Sequence, residues 1–169
     1  MNKKLVIIIN GRGASGKDTC IKYLRGFKTM NVSSIDIIKK AAKILGWNGV
    51  KTASARKFLS ELKKLSVEFN EYPNKYIMSI YNDTFLKSTT DIMFIHVREP
   101  EEIEKLKNNI PGAITLLVKR DLIGDYGNES DDNVENYDYD VIFENNDTLE
   151  KAKVNFNKLI ADLYDKYAH

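Results

Sequence analysis

The stretch Leu5-Val6-Ile7-Ile8-Ile9, followed after one residue by Gly11-Arg12-Gly13-Ala14-Ser15-Gly16-Lys17, constrains the fold more than any other part of the 169-residue chain. The apolar run shows no alternation and is rich in β-branched residues, the mark of a strand buried on both faces in a parallel sheet. Glycines at the spacing G-x-x-x-x-G-K then let the backbone curl so that successive N–H groups point inward at an anion. A helix is expected from Lys17 to about Phe27, with Cys20, Ile21, Leu24 and Phe27 at helical spacing. Strand, glycine turn and helix in that order suit a polyphosphate: the turn offers amides, the helix its dipole, and Lys17 a point charge. The expected contacts to a nucleoside triphosphate are therefore Gly11, Arg12, Gly13, Ala14, Ser15, Gly16, Lys17, Asp18 and Thr19. Asp18 stands where a Ser or Thr usually meets Mg²⁺, so the expected metal contacts are Asp18, through water, or Thr19 one place later.

Further along, apolar strand candidates alternate with amphipathic helices. Met30–Ser33, Ile92–Val97, Ala113–Val118 and Tyr139–Phe143 read as strands. Helices are expected after Ser34 as a cap, over Ala53–Asn70, from Pro73 to about Leu86, from Pro100, and from about Thr148 to Tyr167 with Asp147 as cap. That alternation predicts an α/β layer fold whose mainly parallel sheet has about five strands. One domain over residues 1–169 is expected, with a helical insertion over about 34–88 and an acidic loop over about 120–139. From Asp121 through Glu150 there is not one Lys or Arg.

Composition excludes several classes. Twenty-six basic against 24 acidic residues leave a net charge of +2, too small a field to attract nucleic acid. No apolar run approaches the roughly 20 residues that cross a bilayer. A single cysteine, Cys20, rules out an internal disulfide framework and suits a reducing, cytoplasmic compartment. The expected partners are small-molecule nucleotides, and the chain is expected to be a monomer or a homodimer.

Several segments together resemble one family. The loop G-x-x-x-S-G-K-D-T is similar to that of the deoxynucleoside monophosphate kinases of phages and their bacterial relatives. Ile35-Asp36-Ile37-Ile38-Lys39 with Gly46-Trp47, Arg56-Lys57-Phe58-Leu59, and His96-Val97-Arg98-Glu99-Pro100 resemble further segments of it, in order. Asp140-Val141-Ile142 with Asn145 resembles a segment shared with dephospho-coenzyme A kinases. The resemblance implies a three-layer P-loop, nucleoside monophosphate kinase-like fold and transfer of the γ-phosphate of ATP to a (deoxy)nucleoside monophosphate. The alternatives are another small acceptor, such as dephospho-coenzyme A, and a nucleotide-binding regulatory module without turnover.

Phosphoryl transfer requires positioning and positive charge around the moving group. Arg98 and Arg120 each follow a strand, so both should project from the carboxyl edge of the sheet where α/β ligands bind. With Lys17 they are the expected catalytic cations. The resemblance adds Asp36 as an acceptor-positioning group or base, and Lys39, Trp47, Arg56 and Arg98 as acceptor contacts. It places Asn145 and Asn146 beside the adenine. The 34–88 insertion would bind the acceptor and the acidic loop would form the lid. That loop lacks the basic residues usual in such lids, and His96 stands where relatives carry Asp.

Overall fold

The structure, a computed structural model, describes residues 3–121 and 133–169. It divides into two compact units, Met1–Asn31 with Thr89–His169, and Val32–Ser88. Five strands, β1 (Leu5–Asn10), β2 (Thr29–Ser33), β3 (Ile92–His96), β4 (Ile114–Lys119) and β5 (Val141–Glu144), form one sheet in the order β2-β3-β1-β4-β5. β1 is central and pairs in parallel with β3 and with β4, and β4 pairs in parallel with β5. All six residues of β1 are buried, as its uninterrupted apolar pattern requires.

Alternate residues of a strand face opposite sides of the sheet, so both faces need cover. Leu5, Ile7 and Ile9 pack with Cys20 and Ile21 of α1 (Lys17–Lys22) and with Phe156, Ile160 and Leu163 of the C-terminal helix. The opposite face is covered by α5 (Pro100–Asn109), which packs on β1 and β4 and buries Ile103 and Leu106. The result is a three-layer α/β arrangement. The first unit's sheet and helices carry most of the apolar core.

The second unit is helical: α2 (Asp36–Ile44), α3 (Ala53–Asn70) and α4 (Tyr72–Ser79), with α4 continuing as a π-helical turn over Ile80–Phe85. Ile38, Ala42 and Leu59 form its small core, with Trp47 and Leu62 against them. Thr52 caps α3 by accepting a hydrogen bond from the Ala55 amide at 3.1 Å.

Three local expectations are corrected. The first helix ends at Lys22 rather than near Phe27; the chain turns away at Tyr23, and Leu24 stays buried outside the helix. Neither Ser34 nor Asp147 is the cap: α2 starts at Asp36 without a side-chain cap, and Thr148 caps α6 (Leu149–Tyr167). The expected helix ending near Leu86 is α4 plus the π-helical turn.

Asp140 fastens β5 to the rest of the sheet. Its carboxylate accepts from the Thr115 amide at 2.8 Å, from Thr115 Oγ1 at 3.0 Å, and from Lys107 Nζ at 2.7 Å. Burial acts to raise its pKa, but the Lys107 and Thr115 hydrogen bonds outweigh that and hold it below the usual value of 3.8. A lowered folded-state pKa means stability present above pH 3.8 and lost as pH falls through the folded value. Asp140→Asn is expected to cost about 1 kcal/mol near neutral pH, discounted for partial exposure. Thermal melts of both proteins should differ equally at pH 7 and about pH 5, and converge only below the ordinary carboxyl pKa. A difference that persists unchanged in acid would show that charge is not what Asp140 contributes.

Candidate active site

β1 ends in Asn10, a polar residue with 1% exposure. A buried amide must satisfy its hydrogen bonds, and Asn10 does so by joining three segments. Its Nδ2 donates to the Arg98 carbonyl at 3.1 Å and to the Tyr139 hydroxyl at 2.8 Å, while Oδ1 accepts from the Gly11 amide at 2.9 Å. The Tyr139 hydroxyl in turn donates to the Val134 carbonyl at 2.7 Å. The exit from β1, the end of β3 and the segment before β5 are thus tied at one point.

From Gly11 the chain curls rather than extends. The Ser15 amide donates to the Arg12 carbonyl at 3.1 Å, Ala14 has φ +61°, and Gly16 has φ +86°. Gly11 leaves no room for a side chain, since a Cβ there would lie 2.8 Å from the Val118 carbonyl oxygen and 2.6 Å from Ser15 Oγ. Asn145, buried behind the curl, donates from Nδ2 to the Ser15 carbonyl at 2.8 Å, and its own amide donates to the Lys119 carbonyl at 2.7 Å. The curl is therefore fixed from β1 and from β5. Gly16 is the N-cap of α1 without a side-chain cap, so the first amides of that helix have no partner within it.

Lys17, with its side chain 18% exposed, places Nζ 3.0 Å from Asp18 Oδ1 and 3.3 Å from His96 Nδ1. An ammonium only donates, so Nδ1 accepts and the Nε2–H of a neutral imidazole donates to Asn31 Oδ1 at 2.9 Å. Burial acts to raise the Asp18 pKa; the hydrogen bond and charge of Lys17, with the charge of Arg98, outweigh it and hold the carboxyl below its usual range. A pocket of ≈ 280 Å³ opens here, lined by Asp18, Ile21, Lys22, Asn31 and His96.

The remaining expected residues divide by unit. Arg12 and Lys119 both face Glu135, at 3.4 Å and 3.7 Å. Arg120 is exposed just beyond β4. Asn146 is clasped to Asp121, accepting from its amide at 2.9 Å and donating to its carboxylate at 2.7 Å. The side chains of Asn145 and Asn146 are thus engaged in holding the loop and Asp121. In the second unit the Asp36 carboxylate accepts from the Ser33 amide at 2.8 Å, and Lys39 lies on the same helix. Trp47 packs into the small core and donates from Nε1 to the Val50 carbonyl at 2.9 Å. Arg56 is exposed in the second turn of α3. Residues 122–132 of the acidic loop lie outside the described residues.

Among the described residues no group of three or more His, Cys, Asp or Glu is arranged to hold a metal. Sequence reading missed Asn10, Lys119 and Glu135. The one signal available was a lone Asn ending an otherwise apolar run.

No family model matches the chain, and no curated protein matches it. Among solved structures, the chain is similar to the crystal structure of TT1252 from Thermus thermophilus, with a TM-score of 0.52. The match covers 95% of this chain and 98% of that one at 17% identity. At that identity the likeness shows the fold alone: a parallel five-stranded α/β sheet flanked by helices.

Proposed function

We propose that the protein is an ATP-dependent phosphotransferase, a (deoxy)nucleoside monophosphate kinase working in the cytoplasm. One observation carries this reading: a curled, glycine-enforced loop, pinned by Asn10 and Asn145, ends in a half-buried lysine beside an ionised carboxylate. Gly16, in the left-handed region, caps α1 without a side chain, so the first amides of that helix, which have no partner within it, would receive a polyphosphate. Lys17 would neutralise the β- and γ-phosphates, and Asp18 with Thr19 would orient Mg²⁺. Bound ATP supplies the phosphoryl group and the metal spreads its charge. Arg98 and Arg120 would stabilise charge as it develops, while Asp36, Lys39, Trp47 and Arg56 would meet the acceptor. Among the described residues no helix is long and apolar enough to cross a membrane.

A second reading, a nucleotide-binding module without turnover, is favoured by the same lysine. His96 gives Nδ1 to Lys17 where a carboxylate would be expected to serve the metal, and a neutral imidazole is a poor partner for a hard cation. The test is a panel of nucleoside monophosphates and dephospho-coenzyme A, assayed for acceptor-dependent ADP release. At least one nucleoside monophosphate should accelerate release well above the ATP-only rate. A non-hydrolysable ATP analogue at about 100 times its Kd should add about 2.7 kcal/mol of stability by mass action. Stabilisation without any productive acceptor transfers the assignment to the regulatory reading; acceleration by dephospho-coenzyme A alone changes the acceptor.

A further inference from the structure

We infer that Arg12 and Lys119 form an anion subsite for the polyphosphate tail of the ligand, and that Glu135 occupies it as an internal surrogate which the ligand displaces. This rests on the phosphate-binding reading above and adds a regulator to it. Glu135 spans two cations, one oxygen on each: Oε1 lies 3.4 Å from Arg12 Nε and Oε2 3.7 Å from Lys119 Nζ. Arg12 belongs to the phosphate loop itself. Lys119 ends β4 at the carboxyl edge of the parallel sheet, where ligands of such folds bind.

The placement of Glu135 is built in. Val134 beside it is fully buried, Tyr139 is 9% exposed, and the Tyr139 hydroxyl bridges the Val134 carbonyl and Asn10. A rigid anchor on either side therefore delivers one carboxylate to the rim of the phosphate loop. The contacts themselves are loose. Charge-assisted hydrogen bonds of this kind run at about 2.7–2.9 Å, and all three side chains are about one-third exposed, at 33%, 37% and 38%. Partly exposed ion pairs are weak and salt-sensitive. A phosphate, with more charge and more acceptor oxygens, can replace the carboxylate, and the binding-competent state is the one with Glu135 withdrawn.

The experiment titrates inorganic tripolyphosphate, and separately ATP, into the wild type, Glu135→Gln and Glu135→Gln/Lys119→Ala by calorimetry. With the competing charge removed, Glu135→Gln should bind tripolyphosphate about three- to tenfold more tightly at about 0.05 M salt. That advantage should shrink at about 0.5 M salt, where the ion pairs are screened. Lys119→Ala in the Glu135→Gln background should take back most of the gain. Unchanged or weaker binding by Glu135→Gln overturns the inference, as does failure of all three proteins to bind tripolyphosphate. Because no acceptor is present, the two readings separate. Tighter tripolyphosphate binding together with no acceptor-dependent ADP release in the nucleoside monophosphate panel supports the subsite and defeats the kinase, whereas acceptor-dependent release with unaltered affinity does the reverse. Since Glu135→Gln preserves shape at a partly exposed position, the melting temperature should stay near that of the wild type, and a salt-dependent affinity change has no source in a purely structural role.

Discussion

Lys17→Ala is expected to lower acceptor-dependent ADP release by about a hundred- to thousandfold while leaving the fold intact. The magnitude follows from removing one preorganised cation from a group whose charge is redistributed in the transition state. The stability cost should be small, within about 1 kcal/mol, because the Asp18 partner is exposed and such pairs contribute little. Its Nζ sits 3.0 Å from Asp18 Oδ1 and 3.3 Å from His96 Nδ1, so a compact point charge is held in place before any ligand arrives. Lys17→Arg should recover little, since a planar guanidinium with a longer reach does not reproduce a point charge at that spot. Steady-state ADP release and a thermal melt on the same preparations decide the matter. A Lys17→Ala protein that retains full transfer would remove the phosphate loop from the chemistry altogether.

How much of this was legible in the sequence depends on whether the cause is local. β1 and the loop were legible because each signal is self-contained: an unbroken β-branched run, then glycines where only glycine fits. α3 was legible over its full length because its apolar spacing is long and amphipathic. α1 was read too long for a physical reason. Leu24 and Phe27 keep helical spacing, yet they reach the core from outside the helix, Leu24 against the sheet and Phe27 against Tyr164. Spacing cannot separate those cases. The π-helical turn after α4 left no trace at all in the apolar pattern.

The parts of the site that stayed hidden are those made by distant pairs. Asn10 meets Tyr139 across 129 positions and Asn145 meets Ser15 across 130, and both pairings exist only because the parallel strands bring their carboxyl ends to one edge. Arg12 was singled out, but its partner Glu135 and the second cation Lys119 were not, because a carboxylate in an acidic loop looks like solvated charge. Asn145 was expected through resemblance to lie with its backbone beside a base; its side chain is bonded to the loop. The resemblance located the residue, and the geometry assigns the task its side chain performs here.

That task makes Gly16→Ala a damaging small substitution. Gly16 has φ +86°, and a Cβ there would run into the Asn145 side-chain nitrogen that donates to Ser15. An alanine in the left-handed region costs about 1–2 kcal/mol, and breaking the buried Asn145 bond adds about 1–3 kcal/mol. The expected loss is therefore about 2–5 kcal/mol, a large share of the stability of an ordinary domain, with nucleotide binding lost because the curl is distorted. Gly26 is the internal control. Its φ is +85°, but a Cβ there would meet nothing within 4 Å, so Gly26→Ala should show the backbone strain alone. Asn145→Ala removes the obstacle: the double substitution Gly16→Ala/Asn145→Ala should be less destabilised than the sum of the two singles, by more than the roughly 0.5 kcal/mol within which independent sites add. Denaturant melts of the four variants measure each quantity. Simple additivity, or equal losses at Gly16 and Gly26, would mean that Asn145 does not press on the loop, and the pinned curl on which the proposed phosphate binding rests would lose its support from the β5 side.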